Sequence, residues 1–106
     1  MASKDKLTGS FGSLSDTLAF RWDPSFPAEV ANPWLGAMMY VAALGQRHSD
    51  WTALPATSTK FDAVITALEG ATHALVVATT SATRITALDK VKSALDLLNV
   101  LFDGAT

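Results

Sequence analysis

The sequence predicts a mainly α protein, a small bundle of two to three helices preceded by an extended, aromatic-rich N-terminal arm. Three observations carry that expectation. Apolar residues recur at 3.6-residue spacing through the second half of the chain, the mark of helices with one buried stripe. Prolines 24, 27 and 33 interrupt the aromatic stretch from Phe20 to Tyr40, and proline-broken chain usually runs over the surface. The first 17 residues are rich in Ser and Gly, with Gly9 and Gly12 as breakers. The expected division is an arm over 1–31 and a helical domain over 32–106.

Size and composition fit one modest core. The chain has 106 residues, 49% of them apolar and only 17% charged, where about a quarter is usual. It is too apolar for a disordered chain. So few charges would leave a monomer with a bland surface, so part of that surface is expected to be covered by a partner.

Within the arm, Leu18, Phe20 and Trp22 alternate with Ala19 and Arg21, the period of a short strand. Asp23-Pro24 and Phe26-Pro27 end it. Asn32-Pro33 then reads as a helix start, because Asn can accept from the free amides of a first turn and Pro at the first position has no N–H to waste. That helix is expected over Pro33 to Leu44, ending either with Gly45 as its cap or by continuing to His48. Trp34, Leu35, Met38, Met39, Tyr40, Val41 and Leu44 make it apolar almost all round, so protein should surround most of it. Ser49 to Thr57 reads as a connector with one turn at Asp50–Leu54.

A second helix is expected from Ser58 or Thr59. Phe61, Val64, Ile65, Leu68 and Leu75 form its bulky stripe, and Ala63, Ala67, Gly70, Ala74 and Ala78 a stripe of small residues that admits a close neighbour. A third should run from Thr80 or Ser81 to just before Gly104, burying Ile85, Leu88, Val91, Leu95, Leu98 and Phe102. Thr79-Thr80-Ser81 is a weak break between the two, lacking Gly or Pro, so one continuous helix over about 60–103 is an alternative, and the Val and Thr content of LVVATTSATRIT gives a β-hairpin as a minor one.

No constellation of residues points to chemistry. The only histidines, His48 and His73, have no cysteines to complete a metal site, and His48 beside Asp50 lacks a nucleophile at a supporting spacing. The eight aspartates fall at turns, helix starts and wet faces. GSFGS lacks the Lys and Ser/Thr that end a phosphate loop. No catalytic residue, cofactor or metal is therefore expected, and the chain is read as not an enzyme. With a net charge of −2 and no basic run, nucleic acid is not an expected partner. The longest uncharged apolar run is about a dozen residues where a bilayer span needs roughly 20, so no membrane span is expected. No signal peptide is read at the N-terminus, and synthesis is expected in the cytoplasm.

Six of the nine aromatic residues lie within residues 11–40. Phe20, Trp22 and Phe26 of the arm, with Trp34 of the first helix, are the expected interface anchors, and Ala67, Gly70 and Ala74 those of the small helix face; the alternative is that the arm wraps its own helices and completes one small core. The functional expectation is a non-enzymatic structural subunit that forms a homo-oligomer or docks into a larger protein assembly. A virus or phage particle suits such a chain by analogy of style. The alternative is a helical domain that binds a small molecule near Trp34, Met38 and Tyr40.

Overall fold

In the computed structural model, which describes residues 1–105, the Ser3 hydroxyl accepts the Lys6 amide at 3.1 Å, the geometry of an N-cap. From that cap, helix α1 runs over Lys4–Arg21. Residues expected as an extended arm are therefore mostly helical, and Leu18–Trp22 is the end of a helix rather than a strand. The reason lies in Leu7, Phe11, Leu14 and Leu18, spaced four, three and four residues apart and all buried. Burying that stripe outweighs the poor helix propensity of the serines and glycines between them, because most helical stability in proteins comes from packing. Gly9 and Gly12 sit where an added Cβ would meet nothing within 4 Å.

Helix α2 spans Ala28–Gly45 and begins a turn earlier than Asn32-Pro33 suggests. The Pro27 carbonyl accepts the amides of Val30 and Ala31 at 2.9 and 2.8 Å. Pro33 thus lies inside the helix, where it removes the bond the Glu29 carbonyl would have received. Both residues are exposed, so water can satisfy that carbonyl. Helix α3 is a short segment, His48–Ala53, within the expected connector. Helices α4, Lys60–Val77, and α5, Ser81–Ala105, follow. They are separate. The Thr83 amide donates to the Thr80 hydroxyl at 3.1 Å while the Thr80 amide donates to the Thr83 hydroxyl at 3.0 Å. This reciprocal capping starts α5 without help from Gly or Pro. Strands β1, Ala2–Ser3, and β2, Thr57–Ser58, pair antiparallel with Ala2 opposite Ser58. Among the described residues there are four long helices and one short one, where two or three were expected.

The long helices form two α-hairpins, α1–α2 and α4–α5, lying side by side. α4 packs against both α1 and α5, and α2 packs chiefly against α5. The N-terminal ammonium lies 3.6 Å from Asp62 and the Ser10 hydroxyl 3.5 Å from Glu69, so α1 and α4 run parallel. Tyr40 meets Asp96 and Arg47 meets Asn99, so α2 and α5 are parallel as well. α3 crosses one end of the elongated body, 41 × 22 × 19 Å, where the chain passes from one hairpin to the other.

One core serves all four long helices. Leu7, Leu14 and Leu18 of α1 join Trp34 of α2, Phe61 and Leu68 of α4, and Val91, Leu98 and Phe102 of α5. This core does not divide at residue 31, so the arm of the sequence reading is the first wall of the bundle. No polar or charged side chain is buried among the described residues. No helix among them is long and apolar enough to cross a membrane.

Candidate functional site

The link between α1 and α2 explains where the proline-rich aromatics go. The Asp23 carboxylate accepts the backbone amide and hydroxyl of Ser25 at 2.9 and 2.8 Å, closing a tight turn. Those bonds, the amide first, with the nearby Arg84 charge, hold its pKa below the usual carboxylate value. The turn folds the rings back on the bundle. Trp22 meets Phe26 edge-on at 5.7 Å, Phe26 meets Trp34 at 5.0 Å, and the Arg84 guanidinium sits 5.0 Å over Phe26. Trp34 is only 1% exposed, and its indole N–H donates to the Leu18 carbonyl at 3.0 Å. Three of the four aromatics expected as anchors for another subunit thus pack on their own chain.

Phe20 is the exception. It faces out from the last turn of α1 with 85% of its surface exposed. It borders a depression shared with Leu75 of α4 and Ala78, the residue that follows that helix. Val76 and Val77, next to them in the chain, are also exposed, at 42% and 57%. Because α1 and α4 run parallel, these residues share one end of the α1–α4 edge.

The small face of α4 does meet a neighbouring helix, and that helix is α5 of the same chain. Ala67 and Ala74 are half-buried against the core, and Ala67, Gly70 and Ala71 share a groove with Ser93 and Ala94. Gly70 itself is exposed, and a Cβ there would touch nothing within 4 Å.

A second aromatic cluster escaped the sequence reading. Trp51 of α3 stands between Phe11 at 5.2 Å and Phe102 at 4.9 Å, with its indole N–H donating to the Leu44 carbonyl. Arg47 lies 5.1 Å over Phe102 and reaches the Asp50 carboxylate at 2.7 Å and the side-chain oxygen of Asn99. The available signal was Trp51 itself, a large ring in a connector.

Between α2 and α5 runs a groove of about 330 Å³, floored by Gly36, Ala37, Ile85 and Leu88. At its rim the Tyr40 hydroxyl donates to Asp96 at 2.7 Å. Burial and then the Asp96 carboxylate push the Tyr40 pKa up to about 12. Of the three residues expected to line a small-molecule pocket, only Tyr40 borders this groove. Trp34 is buried, and Met38 is half-buried against the core.

His48 and His73 are both exposed, on opposite sides of α1 in separate shallow depressions. No group of three His, Cys, Asp or Glu side chains close enough to hold a metal occurs among the described residues. Comparison with protein-family models, with curated proteins and with solved structures finds no match.

Proposed function

We propose that this protein is a non-enzymatic assembly subunit that associates with further copies of itself, or docks into a larger protein complex, through the α1–α4 edge. A virus or phage particle is the setting that fits by analogy. The observation that carries the proposal is Phe20. A large aromatic ring held almost wholly in water by a rigid helix gains nothing for its own fold, yet it is the type of side chain that anchors interfaces. Val76 and Val77, near the same end of the bundle, are also exposed apolar side chains, and exposed apolar surface is a feature of interaction sites. The low charge content of 17% supports the same reading. The anchor differs from the one expected of an arm, since Trp22, Phe26 and Trp34 serve the bundle and only Phe20 is left for a partner.

Size-exclusion chromatography with light scattering over a range of concentrations tests this. The protein should exceed the 11.2 kDa of one chain, and Phe20→Ser and Val77→Ser should shift it toward the monomer. A protein that stays monomeric up to millimolar concentration would refute self-association. An oligomer unchanged by both substitutions would place its interface elsewhere.

A further inference from the structure

We propose that the outward face of α2 is a second self-association surface, on which another copy of the chain docks its own α2 antiparallel, about a two-fold axis at Met39. Helical spacing defines the face. Asn32, Met39 and Gln46 recur every seven residues, and Leu35 and Ala42 flank them at the same interval. All five are exposed, Met39 with 73% of its surface in water and Leu35 with 43%. A seven-residue repeat on an exposed helix face is the spacing by which one helix lies along another at a shallow crossing angle.

Charge is missing from this face. Residues 30–46 are the longest stretch of the chain without Asp, Glu, Lys or Arg. The wet sides of α1, α4 and α5 carry Asp16, Glu69 and Lys92. A helix that lies on a membrane surface flanks its apolar face with Lys and Arg. α2 has neither, so a protein suits this face better than a lipid surface does.

The order of the side chains selects a second copy. About a two-fold axis at Met39, each position faces the one equally far beyond Met39 on the same flank of the partner. Leu35 then meets the partner's Ala42, a large side chain against a small one. The Asn32 amide meets the partner's Gln46 amide, and each can both donate and accept. Glu29 precedes the uncharged stretch and Arg47 follows it. Antiparallel docking sets each acid toward the partner's base and opposes the helix dipoles, whereas a parallel pair would bring like charges together. The 18-residue helix is about 27 Å long. A footprint of that length on a body 22 Å across buries about 1,000 Å² for the pair, the low end for a specific interface. The contact is therefore weak, populated at hundreds of micromolar. It goes beyond the α1–α4 edge and does not rest on it, because Phe20, Val76 and Val77 belong to other helices.

The test is sedimentation equilibrium, up to millimolar concentration, of the full chain carrying Phe20→Ser and Val77→Ser, which removes the α1–α4 contact. The mass should rise from 11.2 kDa toward twice that value. Adding Met39→Lys sets two ammonium groups on the axis and should weaken the dimer at least tenfold. Adding instead Asn32→Glu with Gln46→Lys, both at exposed positions, sets two ion pairs across an antiparallel dimer. It should tighten the dimer about two- to tenfold, the range of solvated pairs. In a parallel dimer the same changes oppose like charges. A dimer indifferent to Met39→Lys, or loosened or unchanged by the paired charges, would overturn the proposal. So would a monomer at millimolar concentration, which leaves the α1–α4 reading standing, and its flotation with phosphatidylcholine vesicles would give the face to a lipid surface. An oligomer that ignores Phe20→Ser and Val77→Ser yet dissociates with Met39→Lys would remove the α1–α4 reading and uphold this one.

Discussion

The two aromatic clusters use the same parts and differ in how far along the chain those parts lie. Trp22, Phe26 and Trp34 form one, with Arg84 over a ring. Phe11, Trp51 and Phe102 form the other, with Arg47 over a ring. The first gathers its rings from a single turn and the helix after it. The second draws one ring each from α1, α3 and α5, so it exists only when both hairpins and the crossover are in place. Local contacts close with little loss of loop entropy, whereas distant ones wait for the chain between them. The rings of the first cluster therefore belong to one hairpin, with Arg84 of the other laid over them, whereas the rings of the second belong to the whole fold.

The largest effect should fall in the local cluster. Trp34 is 1% exposed and fills the space between α1 and α2, so Trp34→Ala should cost about 3–5 kcal/mol in urea unfolding, as for other fully buried large rings. Trp51 is only half-buried, and Trp51→Ala should cost roughly half as much. The two clusters share no residue, so the double variant should equal the sum of the singles within about 0.5 kcal/mol. A larger discrepancy would mean that the ends communicate through α2 or α5, and the division into local and global clusters would fail.

This contrast also shows why some of the molecule could be read from the sequence and some could not. The stripes of α4 and α5 repeat at helical spacing without interruption, and both helices lie close to where the pattern puts them. α1 has an equally good stripe in Leu7, Phe11, Leu14 and Leu18, but the Ser and Gly between them dominate a composition-based reading. Leu18, Phe20 and Trp22 look like strand alternation only because Phe20 is apolar and exposed, against the usual fate of such a ring. The density of aromatics near the prolines was visible, while their direction was set by the Asp23–Ser25 turn, which depends on two side-chain hydrogen bonds. The small stripe of α4 announced a close neighbour without saying which chain would supply it. Of the Phe11–Trp51–Phe102 cluster only Trp51, a large ring in a connector, stood out, because nothing local links positions 11, 51 and 102.

The arginines sharpen the comparison at smaller amplitude. Arg47 stacks on Phe102 and also binds Asp50 and Asn99, tying the start of α3 to α5. Arg84 stacks on Phe26, with Asp23 as its nearby opposite charge. Arg47→Met should therefore lower the melting temperature more than Arg84→Met, since methionine keeps apolar contact with the ring but supplies no fork of donors. Raising the salt concentration should narrow the gap, because the exposed part of the Arg47 network is screened. The reverse order would mean that the local cluster depends on its cation more than the distant one does.

The smallest effect on stability belongs to Phe20, an exposed ring outside both clusters. Phe20 lies two residues before Trp22, yet it is 85% exposed and makes no ring contact among the described residues. Phe and Ser have similar helix propensities. Phe20→Ser should therefore leave unfolding of the isolated chain unchanged within about 0.5 kcal/mol, the usual range for surface substitutions. It should be measured in dilute solution, where association contributes nothing to the folded state. At higher concentration the two proteins should diverge, because only the wild type gains stability from its partner. That divergence separates an anchor for assembly from one more piece of the first cluster. A loss of several kcal/mol in dilute Phe20→Ser would instead mean that the ring folds back onto α4, and the local cluster would then have four members.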